Sequence, residues 1–376
     1  MNRSNRSAGH FMPRLLGWCA IAAGCAVGIA ATPTEQRAIV QTGNGGPEVL
    51  KLQFVPVLEP AEGQVLIRVY AAAVNPIDWK IRQGMGSAPR PPAAANGAAP
   101  ATPVIASTRI PGFDVAGVVE KAGPGVSAFK AGQAVVSALG MVRTAGLNGG
   151  YAEFTIAAAE NVVAKPATLT YAQAAGLGTA AVTGARSIDQ LGLAKGKTVL
   201  ITGVAGGVGS SAAQVALAQG LRVVGTATAR HSAYLRSIGV TNVLDYTSAD
   251  WAQKAQAMGI DAVFDTAGGD SASAAFGTLK RGGSYVGVGE PRTVTTQMCK
   301  AAGVRCLSDG GPGGRSGPSQ GEVLKQVANL VAQGKFSVHV DKTYPLDQAA
   351  DAQEANRAGH TEGKIIIAVT DRADSK

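Results

Sequence analysis

One stretch constrains the fold of this chain more than any other: Thr198-Val-Leu-Ile-Thr-Gly-Val-Ala-Gly-Gly-Val-Gly209, followed at once by SSAAQVALAQG. Thr198, Val199, Leu200 and Ile201 suit a strand buried on both faces. Gly203, Gly206, Gly207 and Gly209 let the backbone turn sharply and come close to a phosphate. A helix from about Ser210 would then aim its N-terminal amides and positive dipole end at that phosphate. A lone glycine triplet carries little weight, and a glycine-rich loop without a ligand is the competing reading. The strand before and the helix after give the motif the architecture of a dinucleotide pyrophosphate site.

The following strand narrows the dinucleotide. An NAD site usually has an acid about 20 residues past the glycines, bonded to the ribose hydroxyls. Here Leu221-Arg-Val-Val-Gly-Thr-Ala-Thr-Ala-Arg230-His231 carries none, and the first acid after Gly209 is Asp245. Thr226, Thr228, Arg230 and His231 stand in its place. Hydroxyls and a forked guanidinium suit a 2′-phosphate, so NADP(H) is expected over NAD(H), with a solvated surface role for Arg230 as the alternative.

At 376 residues the chain is long for one core and suits two domains; a 46% hydrophobic fraction supports a packed globular enzyme. The net charge of +9 includes Arg3, Arg6 and Arg14 in an acid-free leader. The remaining excess forms no basic run, so nucleic-acid binding is not indicated. Residues 1–31 read as a signal peptide or membrane anchor: a basic start, then an uncharged run from Leu15 to Ala31. Lipidation at Cys25 is a third reading. The leader suggests export or membrane anchoring on the periplasmic side of a bacterium, and a cytoplasmic location if it is misannotated. Only Cys299 and Cys306 remain beyond it, and spacing alone does not show whether they pair.

Short strands are expected at Gln36–Gln41, Leu50–Val55, Gln64–Val74, Ile110–Gly123 and Gln133–Ala138. From Thr170 the pattern alternates. A helix over Tyr171–Leu191 leads to strands at Thr198–Thr202, Arg222–Ala227, Asn242–Leu244, Ala262–Asp265 and Ser284–Val288, with helices at Ser210–Gln219 and Ser232–Ile238. That order implies a doubly wound parallel sheet. A helix at Val323–Gln333 and strands at Phe336–Val340 and Ile365–Val369 end the chain. The Ala/Pro-rich stretch from Gly84 to Thr108 and the glycine-rich Ser308–Gly321 read as loops.

Several separate runs, in order, resemble the zinc-free medium-chain dehydrogenase/reductases, and within them the quinone oxidoreductase-like proteins. They are Ala71-Ala-Ala-Val-Asn-Pro-Ile-Asp-Trp-Lys80, Ile110-Pro-Gly-Phe-Asp-Val-Ala-Gly-Val-Val-Glu120, Gly149-Gly-Tyr-Ala-Glu153, Lys165-Pro166, the glycine turn, and Ala358-Gly-His-Thr-Glu-Gly-Lys364. The resemblance implies an α/β chain with a GroES-like β-rich catalytic domain over 34–167. A Rossmann NADP(H)-binding domain would span 168–305, and 306–376 would return to the catalytic domain. The active site would lie in the cleft between them, and the protein would be a homodimer acting on a small-molecule substrate.

The resemblance also implies residue roles. Asn75, Pro76, Ile77 and Asp78 would lie near the nicotinamide, with Asn75 and Asp78 as catalytic candidates, although either could serve only in a turn or a cap. Thr183 would contact the cofactor. Gly203, Gly206, Gly207, Val208 and Gly209 would form the pyrophosphate turn, and Thr226, Arg230 and Tyr246 would surround the 2′-phosphate. Ala267, Gly287, Val288 and Gly289 would lie along the cofactor from the far strands. Zinc enzymes of the superfamily carry Cys where Asn75 stands and Gly-His-Glu where Gly112-Phe113-Asp114 stands. With His231, His339 and His360 read as isolated, no metal is expected. Hydride transfer to a quinone or α,β-unsaturated carbonyl would suit such a site, since the product anion is delocalised. An alcohol or aldehyde oxidoreductase and a non-catalytic NADPH-binding protein are the alternatives. Val204, the length of the 87–103 segment and Gly310–Gly314 depart from the family pattern.

Overall fold

Three sheets organise the chain in the computed structural model, which describes residues 1, 32–85, 108–140, 146–307 and 318–376. The first part contains β1 (Glu35–Thr42), β2 (Leu50–Pro56), β3 (Gln64–Val74), α1 (Pro76–Arg82), β4 (Thr108–Arg109), β5 (Asp114–Ala122), β6 (Ala134–Ala138), β7 (Phe154–Ala158), β8 (Val162–Ala164) and α2 (Tyr171–Ala175). Then come α3 (Thr179–Leu191), β9 (Thr198–Ile201), α4 (Gly207–Ala218), β10 (Arg222–Thr226), α5 (Ser232–Ser237), β11 (Asn242–Leu244), α6 (Trp251–Ala257), β12 (Ile260–Asp265), α7 (Gly269–Phe276), β13 (Leu279–Gly287), α8 (Thr296–Ala302) and β14 (Arg305–Cys306). The chain closes with α9 (Gln320–Ala332), β15 (Val340–Pro345), α10 (Ala349–Arg357) and β16 (Lys364–Ala368).

The six-stranded sheet runs β11-β10-β9-β12-β13-β14, parallel throughout. Numbered from β9, this is the 3-2-1-4-5-6 order of a doubly wound dinucleotide fold, in which ligands sit where the order reverses. Strand β9 is central, and all four of its residues are buried, as an unbroken β-branched and aliphatic run requires. Small residues bring α3 against α4: a Cβ added at Gly184 would lie 2.8 Å from the Ala212 nitrogen.

The second sheet runs β15-β16-β3-β5-β6-β8, with β7 also on β3. Strand β16, near the end of the chain, pairs antiparallel with β3, Ile365 opposite Val74. A small sheet, β2-β1-β4, stands beside it. Strands from the two ends of the chain therefore share one β-rich sheet, separate from the parallel one, as in a GroES-like and Rossmann pair.

Four expectations need correction. Tyr171–Leu191 is two helices, because the backbone breaks at Gly176-Leu177-Gly178; α2 packs on β3, β5, β6 and β16, and α3 packs on α4. The helix after the glycine turn begins at Gly207, three residues before Ser210. Residues 110–113 are not strand, since Gly112 takes φ +96°. Residues 336–339 are not strand either; β15 begins at Val340.

The expected leader, most of the Ala/Pro-rich segment and most of the glycine-rich loop fall outside the described residues. Among those that are described, no helix is long and apolar enough to cross a membrane. Cys299 on α8 and Cys306 on β14 form a disulfide, their Cα atoms 5.9 Å apart.

Candidate active site

Where β3 ends, Asn75 caps α1. Its backbone N–H donates to Asp78 Oδ2 at 2.7 Å, three residues on, and Pro76 fills the first helical position, where a missing N–H costs nothing. The Asn75 side chain is fully engaged by residues far away in sequence. Nδ2 donates to Asp114 Oδ2 at 2.8 Å, and Oδ1 accepts from Lys364 Nζ at 2.6 Å. Lys364 Nζ also donates to the Val74 carbonyl at 2.8 Å. Asp114 Oδ1 accepts from Thr179 N and Thr179 Oγ1, both at 2.7 Å, at the start of α3. Only glycine fits at 178, because a Cβ there would lie 2.2 Å from Asp114 Oδ1.

A second buried group touches the first. Asp78 Oδ2 accepts from Tyr151 Oη at 3.1 Å, while Asp78 Oδ1 is buried with no hydrogen-bond partner. Arg109, also buried, places its guanidinium 5.1 Å from the Phe113 ring centroid. Tyr151 lies against Gly112, where a Cβ would meet the ring at 2.5 Å.

Burial governs the charges here. It pushes Asp78 up to about 7, a rise that its bond from Asn75 N–H opposes and the neighbouring Asp114 assists. Burial raises Asp114 against the pull of Lys364 and Thr179, raises Tyr151, and lowers Lys364 against the pull of Asp114 and Asp78.

The glycine turn follows β9 directly. Gly203 takes φ +60°, and a Cβ on Gly209 would lie 2.4 Å from the Gly203 oxygen, so both positions demand glycine. At Gly206, by contrast, an added Cβ would find no atom nearer than 3.5 Å. No side chain caps α4, which leaves its first amides available to an anion. Residues present thus suit a pyrophosphate, and Val208 follows in the first turn of the helix.

Asp265, at the end of β12, ties the neighbouring turns together. Its carboxylate accepts from Thr202 Oγ1 at 2.5 Å, from Ala267 N and Gly268 N, and from Tyr285 Oη at 3.3 Å; its carbonyl accepts from Val288 N and Gly289 N. Asp265 thus holds the turns that carry Ala267, Gly268, Val288 and Gly289 together at the ends of β12 and β13. Thr183 is buried on α3, one turn after Thr179.

The expected 2′-phosphate residues are placed less uniformly. Thr226 Oγ1 is buried and accepts from Gly203 N at 3.3 Å, so this hydroxyl braces the turn. Arg230 is exposed just past β10, and Tyr246 is partly exposed just past β11. The three histidines are not isolated. His231 Nδ1 lies 2.8 Å from Glu362 Oε2, His339 Nε2 lies 3.3 Å from Glu362 Oε1, and the His360 carbonyl accepts from Arg230. Residues close in space need not be close in sequence, and the 358–364 segment supplied the missing partner. Among the described residues, no group of three or more His, Cys, Asp or Glu side chains is placed to hold a metal ion.

The same terminal segment connects the two halves of the site. Gly363 N donates to the Ala205 carbonyl at 2.8 Å, and Gly363 bridges Gly206. The Lys364 stem then crosses the turn, where a Cβ on Gly207 would meet its Cδ at 2.7 Å, and its ammonium reaches Asn75. Lys364, Asp114, Thr179, Tyr151 and Arg109 had no assigned role from sequence. Their signal was present, since Asp114, Tyr151 and Lys364 each lie inside a quoted family motif.

Comparisons with known proteins agree with this architecture. Residues 61–167 match the alcohol dehydrogenase GroES-like domain, and residues 238–367 match a zinc-binding dehydrogenase domain. The chain is 34% identical to a quinone oxidoreductase of Mus musculus over 355 residues, covering 88% of this chain and 97% of the relative. It is 32% identical to a chloroplastic NADPH-dependent alkenal/one oxidoreductase of Arabidopsis thaliana, covering 90% and 81%. A solved NAD-dependent alcohol dehydrogenase superposes with a TM-score of 0.77 at 26% identity, covering 89% of this chain and 100% of the other. Family and fold together imply a nicotinamide cofactor. The chain belongs to the medium-chain dehydrogenase/reductase family of oxidoreductases, among its quinone oxidoreductase-like members.

Proposed function

We propose that this oxidoreductase uses NADPH to reduce a quinone or an α,β-unsaturated carbonyl, without zinc. The observation that carries this reading is the Lys364–Asn75–Asp114 chain at the end of β3. An amide, an ammonium and a carboxylate already bonded to one another offer no soft, open ligand set of the kind a catalytic zinc needs. The cofactor, when bound, supplies the hydride. The protein's part is to bind, orient and exclude water. Gly206, Gly207 and the start of α4 would hold the pyrophosphate. Asn75, locked by Lys364 and Asp114, would fix the wall beside the nicotinamide. An acceptor whose product anion is delocalised fits a site without a Lewis acid.

Support for NADPH over NADH is the lack of an acid at the end of β10 and the exposed Arg230 there. Export, or anchoring by the leader, is part of the same reading, and the Cys299–Cys306 disulfide suits an oxidising compartment. A homodimer is the expected assembly.

The test is consumption of NADPH and of NADH by the purified protein with a quinone, an enone and a saturated aldehyde, before and after chelation. Turnover of NADPH with the first two, unchanged by chelator, is the expected result. Turnover of the aldehyde that chelator abolishes would favour an alcohol or aldehyde oxidoreductase. Tight NADPH binding with no turnover of any acceptor would favour a non-catalytic binder.

A further inference from the structure

Exposed large apolar side chains concentrate in one run. Leu52 is 47% exposed, Phe54 72% and Leu58 38%, whereas Met85, Leu147, Met258 and Met298 lie far apart in the sequence. Leu52 and Phe54 stand on β2, the edge strand of the small β2-β1-β4 sheet, and side chains two apart on a strand share a face. Every residue from Lys51 to Phe54 is exposed, so the middle of this edge stands clear of the body. On β1, Ile39 lies opposite Leu52 and Arg37 opposite Phe54. Ile39 is buried, and Arg37 is paired with Glu153 at 2.9 Å. The face is therefore apolar, with its nearest cation already neutralised. Such an edge invites unwanted pairing unless something covers it.

The path of the chain indicates what covers it. Val57 N donates to the Thr34 carbonyl at 2.9 Å, so the polypeptide that precedes Thr34 leaves the body beside the last residues of β2. Phe54 comes three residues before Val57, a span of about 10 Å along a strand. No charged residue falls between Arg14 and Glu35, a run of about the 20 residues that span a bilayer. A leader inserted there would bring Phe54 within about 10 Å of the membrane surface, comparable to the depth at which apolar faces enter the headgroup boundary. A second copy of the chain is a poorer cover. Three partly exposed side chains offer roughly 300 Å², against about 800 Å² on each partner of a stable pair. For a tethered body the smaller area is enough, because the leader raises the effective concentration of lipid at the face.

We propose that the face formed by Leu52, Phe54 and Leu58 docks on the lipid bilayer that the leader enters, and so sets the orientation of the protein body on the membrane. The proposal rests on the anchoring reading of the leader given above. Phe54 and Leu52 enter the headgroup boundary, and Leu58, next to Val57, lies nearest the point where the chain leaves the body. The contact is apolar, so a zwitterionic lipid supports it.

The full chain reconstituted in phosphatidylcholine vesicles tests this, with brominated acyl chains as contact quenchers of indole fluorescence. Phe54→Trp adds a reporter at the face, read above the signal of Trp18, Trp79 and Trp251 in the wild type. Its added fluorescence should fall roughly twofold or more in brominated over ordinary lipid. Met258→Trp, at the end of α6, should show no such loss. Leu52→Ser in the Phe54→Trp chain should remove about half of the quenching or more, with circular dichroism as the check on folding. Vesicle flotation, read in parallel, reports the anchor by itself. Flotation without quenching at position 54 overturns the proposal and leaves the anchor standing; shielding of that reporter from aqueous iodide would then assign the face to a second copy. Equal quenching at positions 54 and 258 also overturns it, as unspecific adsorption. Absence of flotation overturns both.

Discussion

The glycine turn and the Asn75 centre are neighbours joined by a single side chain, yet they are built on opposite plans. The turn is a contiguous run in which backbone conformation does the work: Gly203 at φ +60°, Gly209 against the Gly203 carbonyl, and bare amides at the start of α4. The centre is assembled from β3, β5, α3 and β16, and its content is buried charge. Asn75 meets Asp114 across 39 residues and Lys364 across 289. A backbone site tolerates changes in distant side chains and fails when a Cβ is added. A buried polar network does the reverse, since each member is costly to bury and worth keeping only while the others satisfy it.

Lys364→Met should give the largest effect. It removes the donor from Asn75 Oδ1 and the positive charge that offsets Asp114, so a loss of roughly 3–5 kcal/mol is expected in urea unfolding. Adding Asp114→Asn should recover a large part, because the uncompensated carboxylate goes with it. If the double variant is no better than the single one, the centre is held by packing of the Lys364 stem on the turn, and the contrast with the turn collapses.

Asp78 comes next, and its sign is unusual for a carboxylate. Burial holds it at about 7 against 3.8 in an unfolded chain, so between those values the folded state keeps a proton that the unfolded state has lost. Its contribution is complete below about pH 3.8 and disappears as pH rises through about 7, on the order of 4 kcal/mol in all. Asp78→Asn should flatten the fall in unfolding free energy between about pH 4 and about pH 7. An unchanged slope would mean that the carboxyl is ionised in the fold.

The same contrast explains what sequence reasoning reached. The turn and its flanking strand were legible because a buried run, glycines and a helix follow one another without interruption. Strands β3 and β11 were placed to the residue for the same reason, their patterns being local. Helix α10 was missed because Ala349–Arg357 is mostly polar and buries only a narrow face. The break in Tyr171–Leu191 was missed because Gly176 and Gly178 are set by what they must admit, Val338 and the Asp114 carboxylate, both distant in sequence. The roles of Lys364 and Tyr151 were invisible in the same way, and His231 looked solitary until Glu362 arrived from the other end of the chain. Periodicity reports the face a residue presents, and it does not report who meets it there.

On the turn side, Gly209→Ala should destabilise the fold by about 1–3 kcal/mol, since the added carbon would press on backbone rather than on a yielding side chain. Binding of NADPH and of NADH should suffer together in an equilibrium titration, because the pyrophosphate is common to both. A loss confined to one cofactor would place Gly209 outside the pyrophosphate turn.

Thr226→Val should give the smallest effect and separate two roles for one hydroxyl. Sequence reasoning set Thr226 beside a 2′-phosphate, whereas its Oγ1 accepts a long bond, 3.3 Å, from Gly203 N at the entrance to the turn. Valine keeps the branched shape at this buried position and deletes that bond, at about 0.5–1.5 kcal/mol. If the hydroxyl is only a brace, NADPH and NADH affinities should fall by the same small factor, and the thermal midpoint should drop slightly. If it also meets the phosphate, NADPH alone should weaken further. The ratio of the two dissociation constants reads the distinction directly, because a shared loss in stability cancels from it.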